Sequence, residues 1–245
     1  MNLIVFVDKE IGFDLLQGLL ELEDELLVVI GNNNREAFIK FLEENKIRYI
    51  FIEMFNPKSF KDNQFDWLVN LWGPKIFKED DLRIAIDSLN VHPSYLPYAR
   101  GKDPIVHSLL NKFPVGFTFH KITMELDGGP IYYQKVIPVE FPFNGGDIYV
   151  TVSKALILEF KQVWPSIRNG QLSPSFPSRK IEVINNRAHT ESLRIRNYDQ
   201  MASEEKQILE WICAFDFNDL YTAQVIKGSK VYSLRVNFRL VEDNG

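Results

Sequence analysis

The strongest constraint on the fold is an alternation of short apolar runs with amphipathic segments in the first half of the chain. The apolar runs have the length of buried strands, and the segments between them show helical spacing of their apolar residues. This alternation is typical of βαβ units and predicts an α/β, Rossmann-like fold with a mostly parallel sheet. The predicted strands are residues 3–7, 26–30, 49–52, 67–71 and 84–91, and the first predicted helices are residues 14–22 and 35–42.

A sheet of this kind binds ligands at the carboxyl ends of its strands. Residues 8–12, which follow the first strand, read DKEIG and are predicted to form a loop. The loop lacks the G-x-G-x-x-G pattern with which dinucleotide-binding folds approach a pyrophosphate, so the sequence does not indicate a nicotinamide cofactor.

The second half of the chain continues the pattern and then changes character. The further predicted elements are a helix at 104–110, strands at 115–122 and 131–139, and a long helix at 147–167 whose last turn Pro165 should disturb. A stretch rich in proline and serine follows, and it predicts a domain boundary there.

We therefore expect a catalytic domain at residues 1–175 and a small C-terminal domain at residues 176–245. The second domain is predicted to be an α+β piece. It should contain a helix capped by Ser203, and it should end in a β-hairpin that turns at Gly228.

Composition narrows the cellular context and the partners. The chain of 245 residues has a net charge of −5, which gives no broad positive surface for nucleic acid. Its single cysteine, Cys213, cannot form an intramolecular disulfide, as is common in a reducing compartment. No apolar run approaches the roughly 18 residues of a membrane span. We expect a cytoplasmic protein without a membrane or nucleic-acid partner.

The residues that best fit catalysis lie at the end of the predicted strand 84–91 and in a later turn. Asn90 and His92 are two residues apart, so they project from the same side of a strand. An amide donor beside an imidazole suits a developing oxyanion and a proton transfer. Asp127 lies in a turn with two glycines and a proline, from which a carboxylate could reach His92. Taken alone, the pattern also fits a histidine that is merely hydrogen-bonded at a strand end.

A longer motif gives these residues a context. Residues 90–101 read NVHPSYLPYARG, residues 116–120 read GFTFH, and residues 127–131 read DGGPI. This order and spacing strongly resembles the folate-dependent formyltransferase family, whose pattern is N-x-H-P-S-x-L-P-x-x-R-G, then G-x-T-x-H, then D-x-G-x-I.

The resemblance implies a role for each residue of the motif. Asn90 and His92 would polarise the formyl group and stabilise the tetrahedral intermediate, and Asp127 would pair with His92 and assist proton removal from the amine. The donor would be N10-formyltetrahydrofolate, and no metal is implied. His120 is expected to support the Asp127 loop, whereas His107 and His189 should be packing or surface residues. The segment expected to line the folate ring comprises Trp72, Lys75, Ile76 and Phe77, together with Asp127.

The members of the family differ mainly in the formyl acceptor. The glycinamide ribonucleotide enzyme usually ends near the equivalent of Leu172 and has a glycine- and serine-rich phosphate loop after its first strand, which residues 8–12 do not match. The methionyl-tRNA enzyme has a basic β-barrel tail, for which this acidic chain has too few residues. The sugar-nucleotide N-formyltransferases have the same core and a short tail, and this branch is most similar.

That branch implies an amine on a deoxysugar linked to a nucleoside diphosphate. The expected acceptor is dTDP-4-amino-4,6-dideoxyglucose or a related dTDP-linked 3-amino or 4-amino sugar, which would serve O-antigen or lipopolysaccharide synthesis. Such enzymes are usually homodimers with the hairpin near the contact. Glycinamide ribonucleotide formyltransferase and formyltetrahydrofolate hydrolase stay open as alternatives. The residues expected to bind the acceptor are Lys9, Ser94, Tyr95, Arg100, Gly101 and Lys102.

Overall fold

The structure is a computed structural model that describes residues 1–33, 35–140, 142–178, 183–197, 205–218 and 220–238. The strands in this part of the chain are β1 (Asn2–Val7), β2 (Glu25–Ile30), β3 (Arg48–Phe51), β4 (Phe65–Leu71), β5 (Ala85–His92), β6 (Arg100–Gly101), β7 (Gly116–His120), β8 (Ile131–Val136), β9 (Ile184–Asn185), β10 (Ile195–Asn197), β11 (Ala223–Lys227) and β12 (Lys230–Leu234).

The α-helices of the described residues are α1 (Lys9–Leu19), α2 (Arg35–Glu44), α3 (Glu79–Leu82), α4 (Pro104–Leu110), α5 (Gly145–Arg168), α6 (Arg187–Arg194) and α7 (Glu205–Phe215). Single turns of 3₁₀ helix lie at Leu20–Leu22, Ile52–Met54 and Pro57–Ser59. None of the helices in these ranges is long and apolar enough to cross a membrane.

Seven strands form the main sheet in the order β3-β2-β1-β4-β5-β7-β8. The pairings from β3 to β5 are parallel, and those of β5 with β7 and of β7 with β8 are antiparallel. The prediction of an α/β fold with a mostly parallel, Rossmann-like sheet is confirmed. The central strand β1 is apolar on both faces: Leu3, Val5 and Val7 pack in one core cluster, and Ile4 and Phe6 in the other. Burial on both faces is typical of an inner parallel strand.

Strand register places polar residues side by side at one edge of this sheet. Asn70 on β4 is the partner of Asn90 on β5, and Asn90 is in turn the partner of His120 on β7. The next pair along β5 that points to the same side is His92 with Thr118 of β7. Three polar side chains from three adjacent strands therefore lie in one row.

The long helix α5 covers one face of the sheet through aromatic packing. Trp164 contacts Trp67 of β4 edge-on, with ring centroids 5.2 Å apart, and Phe160 contacts Phe119 of β7 at 5.7 Å. Asn144 caps the helix by accepting a hydrogen bond from the Asp147 N–H at 2.8 Å. Pro165 lies in the last turn of the helix, which continues past it to Arg168.

The C-terminal residues pack onto the same core. Trp211 and Phe215 of α7 and Ala223 and Val225 of β11 belong to the apolar cluster that contains α5. Strands β10, β11 and β12 form a small sheet, and the predicted hairpin of β11 and β12 is confirmed, with Gly228 at φ +60° in its turn. The predicted cap Ser203 lies outside the described residues. The division at 175/176 stays a prediction.

The segment after β1 differs from its prediction. Helix α1 begins at Lys9, directly after the strand, so there is no loop at residues 8–12. Asp8 is buried, and its carboxylate accepts hydrogen bonds from the Asn33 backbone N–H at 2.8 Å and side-chain amide at 2.6 Å. These bonds fix the turn between strand and helix, a tertiary contact that the local sequence does not show.

Helix α4 joins the C-terminal segment through His107. This residue is 1% exposed; its Nε2 lies 3.0 Å from the Thr190 hydroxyl of α6, and its ring stacks on that of His189 at 5.4 Å. Burial, followed by the charge of His189, lowers the pKa of His107 from 6.5 to about 4, against the opposing effect of Asp103. The expectation that His107 is a packing residue is confirmed.

We expect acid to destabilise the protein through this histidine. Because its pKa is about 4 when folded and 6.5 when unfolded, the unfolded chain binds the proton first. The stability is therefore full above pH 6.5 and falls as the pH drops toward 4. His107→Gln, which keeps a polar group toward Thr190, should lessen the drop of the melting temperature between about pH 7 and about pH 4, from above the unfolded pKa to the folded one. His189→Gln removes only the smaller of the two causes, the charge of His189, so its effect should be smaller, and an equal effect of both variants would contradict the assignment.

Candidate active site

Three neighbouring elements bring the predicted catalytic residues together. Asn90 and His92 end β5, and Asp127 follows β7 in the turn that leads to β8. The Asp127 carboxylate lies 3.4 Å from Asn90 Nδ2, within hydrogen-bonding distance, and 3.7 Å from His92 Nε2. His120 also enters the group, with its Nε2 3.0 Å from Asn90 Nδ2 and 3.7 Å from Asp127 Oδ1. The four side chains form one polar cluster at the carboxyl end of β5.

The Asp127 turn is held in an uncommon backbone conformation. Asp127 has φ +48°, in the left-handed region that asparagine and aspartate adopt more readily than most residues. The Gly101 N–H donates to its Oδ2 at 2.9 Å. The guanidinium of Arg100 donates to the Glu125 carboxylate at 2.9 Å and to the Leu126 carbonyl at 2.9 Å. Strand β6 therefore fixes both the backbone and the carboxylate of this turn.

The C-terminal segment in turn fixes β6. Strand β9 pairs with β6, so that Arg100 and Gly101 lie beside Ile184 and Asn185. The Lys102 N–H donates to the Asn185 carbonyl at 2.9 Å, and the buried Asn185 amide donates to the Arg100 carbonyl at 3.2 Å. Asn185, which lies far beyond Asp127 in the sequence, is thus part of the support of the Asp127 carboxylate.

The cluster sets the charge of its members. Burial opposes ionisation of Asp127, but His92, His120, the Gly101 N–H and Arg100 stabilise its carboxylate and together hold its pKa below the ordinary value. Burial is the main cause that lowers the pKa of His120 to about 4. At neutral pH the site therefore contains an ionised carboxylate beside a neutral His120 ring.

His92 has unused hydrogen-bonding capacity. Its side chain is 8% exposed, and Nε2 is buried with no hydrogen-bond partner among the described residues. The nearest charged oxygen, Asp127 Oδ2, is 3.7 Å away, which is too long for a hydrogen bond. A buried polar atom without a partner costs free energy unless a ligand group satisfies it. His92 Nε2 is therefore placed to form a hydrogen bond with a ligand atom that lies beside both the imidazole and the Asp127 carboxylate.

An adjoining cavity of about 240 Å³ opens beside Asp127. Its walls are mainly apolar, and Phe176 stands at its edge with 72% of its surface exposed. The lining residues are Leu96, Pro97, Arg100, Glu125, Asp127, Gly128, Gly129, Ile131, Phe176 and Pro177.

The residues predicted to line a folate ring follow β4. Trp72 is half-buried at φ +70°, and Ile76 is 71% exposed. Lys75 lies 3.1 Å from Asp81 and over the Phe55 ring at 5.3 Å. Phe77 is buried against Phe6, so its side chain belongs to the core and only its backbone is suited to a ligand. The folate contacts stay a prediction.

The residues predicted to bind the acceptor occupy different environments. Lys9 and Lys102 are exposed, and Tyr95 is half-buried. Ser94 is fully buried and donates to the Tyr98 carbonyl at 2.9 Å, so its hydroxyl supports its own loop, and its role as a substrate contact stays a prediction. Arg100 is 2% exposed and holds the Asp127 turn, so a role as an open diphosphate cation does not fit its position.

Sequence reasoning missed Asn70, whose Nδ2 donates to Asn90 Oδ1 at 2.8 Å. The available signal was an asparagine inside the apolar run WLVNL of residues 67–71. It also missed Asn185 and Phe176, for which the local sequence gives no comparable signal.

The family of this region follows from comparison with known proteins. Residues 81–154, which contain Asn90, His92 and Asp127, match the formyl transferase family. The chain carries a formyl transferase segment. The family expected from the sequence motif is thereby confirmed for this region.

Curated relatives of the formyl transferase segment include different acceptor classes. A methionyl-tRNA formyltransferase of Dictyoglomus turgidum is 30% identical over 172 residues, which are 69% of this chain and 48% of that protein. A dTDP-4-amino-4,6-dideoxyglucose formyltransferase of Mycobacterium tuberculosis is 33% identical over 97 residues, 38% of this chain and 40% of that protein. The chain spans less than half the length of these relatives.

Solved structures extend the fold likeness beyond the formyl transferase segment. A 4-N formyltransferase from Francisella tularensis has a TM-score of 0.83 at 19% identity and covers 98% of both chains. An N-formyltransferase from Helicobacter canadensis, in complex with folinic acid and dTDP-3-aminofucose, has a TM-score of 0.72 at 19% identity and covers 86% of this chain and 79% of that one. The chain shares the fold of sugar N-formyltransferases.

The contact between β6 and β9 can be tested at Gly101. This residue has φ +89°, and a Cβ there would overlap the Asn185 carbonyl oxygen. Gly101→Ala should destabilise the protein by more than about 1 kcal/mol and displace the N–H that binds Asp127. Gly170→Ala is the matched control, because Gly170 has φ +70° but open space around its missing Cβ. Thermal unfolding that finds the two variants equally stable would contradict the role of the contact.

Proposed function

We propose that the protein transfers a formyl group from N10-formyltetrahydrofolate to the amine of a nucleotide-linked amino sugar. The observation that carries the proposal is the cluster of Asn90, His92 and Asp127, with the unpartnered His92 Nε2 beside a carboxylate, inside the segment that matches the formyl transferase family. The cluster suits the transfer of a formyl group, because it brings two nitrogens that can donate hydrogen bonds, Asn90 Nδ2 and His92 Nε2, close to a carboxylate that can accept a proton.

Each residue has a role that its position supports. His92 Nε2 can bind the formyl oxygen, where negative charge develops as the amine attacks. Asn90 Nδ2 can do the same by giving up its long 3.4 Å contact with Asp127 Oδ1, while its other hydrogen stays on His120 Nε2. The ionised Asp127 can accept a hydrogen bond from the neutral amine and take its proton once the new carbon–nitrogen bond makes that nitrogen cationic. A bound folate would supply the formyl group; its N10 would leave from the tetrahedral intermediate after the bond to the acceptor nitrogen has formed, and it would take up the proton that Asp127 accepted.

The cavity beside Asp127 supports an amino-deoxysugar as acceptor. The Asp127 carboxylate marks the end at which an amine would lie, while Leu96, Ile131 and Phe176 offer apolar surface to the rest of the ring. Apolar walls favour carbons that lack hydroxyl groups. The charged residues Arg100 and Glu125 pair with each other, so they neutralise one another at the wall.

The environment of Asp8 counts against glycinamide ribonucleotide as acceptor. The resemblance implies that the purine enzyme binds its phosphate in a loop after the first strand. Here that place is taken by a buried carboxylate and by the first turn of α1. An anionic phosphate would be repelled by the carboxylate.

The carrier of the sugar is proposed to be thymidine diphosphate, with dTDP-4-amino-4,6-dideoxyglucose as the first acceptor to test. The Mycobacterium tuberculosis relative is named for this sugar, and the Helicobacter canadensis structure holds a dTDP-linked 3-amino sugar. We further propose a cytoplasmic homodimer that supplies O-antigen or lipopolysaccharide synthesis, with the exposed Val231 and Tyr232 of the hairpin near the subunit contact.

Substitution of the catalytic residues tests the reaction. Asn90→Ala, His92→Ala and Asp127→Asn should each lower kcat by about 100-fold or more, as the loss of an oxyanion donor or a general base does. Formylated product is measured by mass spectrometry with dTDP-4-amino-4,6-dideoxyglucose, a dTDP-linked 3-amino sugar, or glycinamide ribonucleotide as acceptor. Formate release without any acceptor would instead support a hydrolase. Near-normal turnover in all three variants refutes the assignment.

Phe176 tests the proposed place of the acceptor. Phe176→Ala should raise the KM for the sugar nucleotide about 3- to 10-fold, the value of one lost aromatic contact, and leave the KM for the folate unchanged. Ile86→Ala is the control, because Ile86 is 64% exposed near the opposite end of β5 from Asn90. If Phe176→Ala changed only the KM for the folate, the acceptor would have to bind in another cavity.

A further inference from the structure

A directional chain of hydrogen bonds runs through the candidate site and ends at Asn70. His120 Nδ1 lies 2.9 Å from the Lys121 carbonyl oxygen, and His120 Nε2 lies 3.0 Å from Asn90 Nδ2. On the other side of Asn90, Oδ1 accepts a hydrogen bond from Asn70 Nδ2 at 2.8 Å. The chain therefore links β4, β5 and β7 across the row of polar residues set by their register.

The direction of the chain follows from the chemistry of its first member. A carbonyl oxygen only accepts, so His120 Nδ1 must carry the proton, and the neutral ring then leaves Nε2 as an acceptor. Asn90 must therefore donate a hydrogen bond from its NH₂ group to His120 Nε2, which turns its own Oδ1 toward Asn70. Asn70 must then donate.

The reversed chain is unfavourable at two places. If both amides were turned around, His120 Nδ1 would face the Lys121 carbonyl without a proton. The Asn90 oxygen would also face Asp127 Oδ1, which lies 3.4 Å from the present position of Nδ2. Each arrangement sets two acceptors against each other in a site that is largely buried, where such repulsion is strong.

We infer that Asn70 is a positioning residue that orients the amide of Asn90, so that its NH₂ group and not its oxygen faces His120 and Asp127, on the side where the formyl group would react. The inference rests on the proposed function. It also assigns a task to a polar side chain that is 8% exposed, whose Oδ1 has no hydrogen-bond partner among the described residues. The donating NH₂ group is the part of Asn70 that the site uses.

The first test reads the proton position in the wild-type protein and needs no activity. Long-range ¹H–¹⁵N correlation spectra distinguish the two neutral tautomers of a histidine, and the chain has four histidines to assign. His107→Gln and His189→Gln identify two of them without touching the site. We expect His120 to carry its proton on Nδ1. A proton on Nε2 overturns the inference, whatever the catalytic activity of the protein.

The second test reverses the donor. Asn70→Asp places a group that only accepts, when ionised, against Asn90 Oδ1. The Asn90 amide should then turn around, so that His120 moves its proton to Nε2. We expect kcat for sugar formylation to fall about 10- to 100-fold, the range for a lost oxyanion donor, with little change in either KM. As the pH is lowered, the new carboxyl group becomes protonated and can donate, so the ratio of variant to wild-type kcat should recover.

Asn70→Leu is the matched variant, since it keeps the size of the side chain but neither donates nor accepts. His120 alone then orients Asn90, so we expect the Nδ1–H tautomer to persist and kcat to fall less than in Asn70→Asp. Equal kcat losses and unchanged tautomers in the two variants would mean that Asn70 only packs, and this overturns the inference. A wild-type protein that formylates no amine sugar refutes the proposed function instead, while the tautomer spectra still decide the geometry.

Discussion

The register of β4, β5 and β7 is the constraint on which the candidate site depends. It sets Asn70, Asn90 and His120 in one row across the carboxyl end of β5. Because side chains alternate between the two faces of a strand, a slip of one residue in either pairing would turn the row away from Asp127. The apolar residues on both faces of the central strands give this register its stability, since the same slip would move buried side chains out of their clusters. The packing of the core and the geometry of the candidate site are therefore specified together.

The second requirement is an ionised carboxylate in a buried place. Asp127 is held there by His92, His120, the Gly101 N–H and Arg100, which together outweigh the unfavourable effect of burial on its charge. The Gly101 N–H depends on β6, and β6 depends on its pairing with Asn185 in β9. The electrostatics of the site are thus supported from a segment that is distant in sequence.

The sequence allowed prediction of those features that are local or periodic. The strand and helix alternation predicted the parallel sheet, and the two-residue spacing of Asn90 and His92 predicted that both would face the same space. The motif placed Asp127 with them. Asn70 was not predicted, because its role depends on which strand lies beside β5 and in which register. The helix that begins at Lys9 and the burial of Ser94 were missed for a similar reason: each depends on a tertiary hydrogen bond or on packing that no short stretch of sequence reveals.

The pairing of β6 with β9 limits how segments of this fold could be exchanged between related proteins. Asn185 lies after the predicted domain boundary, but through its pairing with β6 it supports the Gly101 N–H that binds the Asp127 carboxylate. A graft that joins a foreign tail after Ser175 would remove that support together with the old specificity. Recombination within this fold must therefore carry the β6 loop and the tail as a pair, which makes the two segments one unit of inheritance although more than 80 residues separate Gly101 from Asn185.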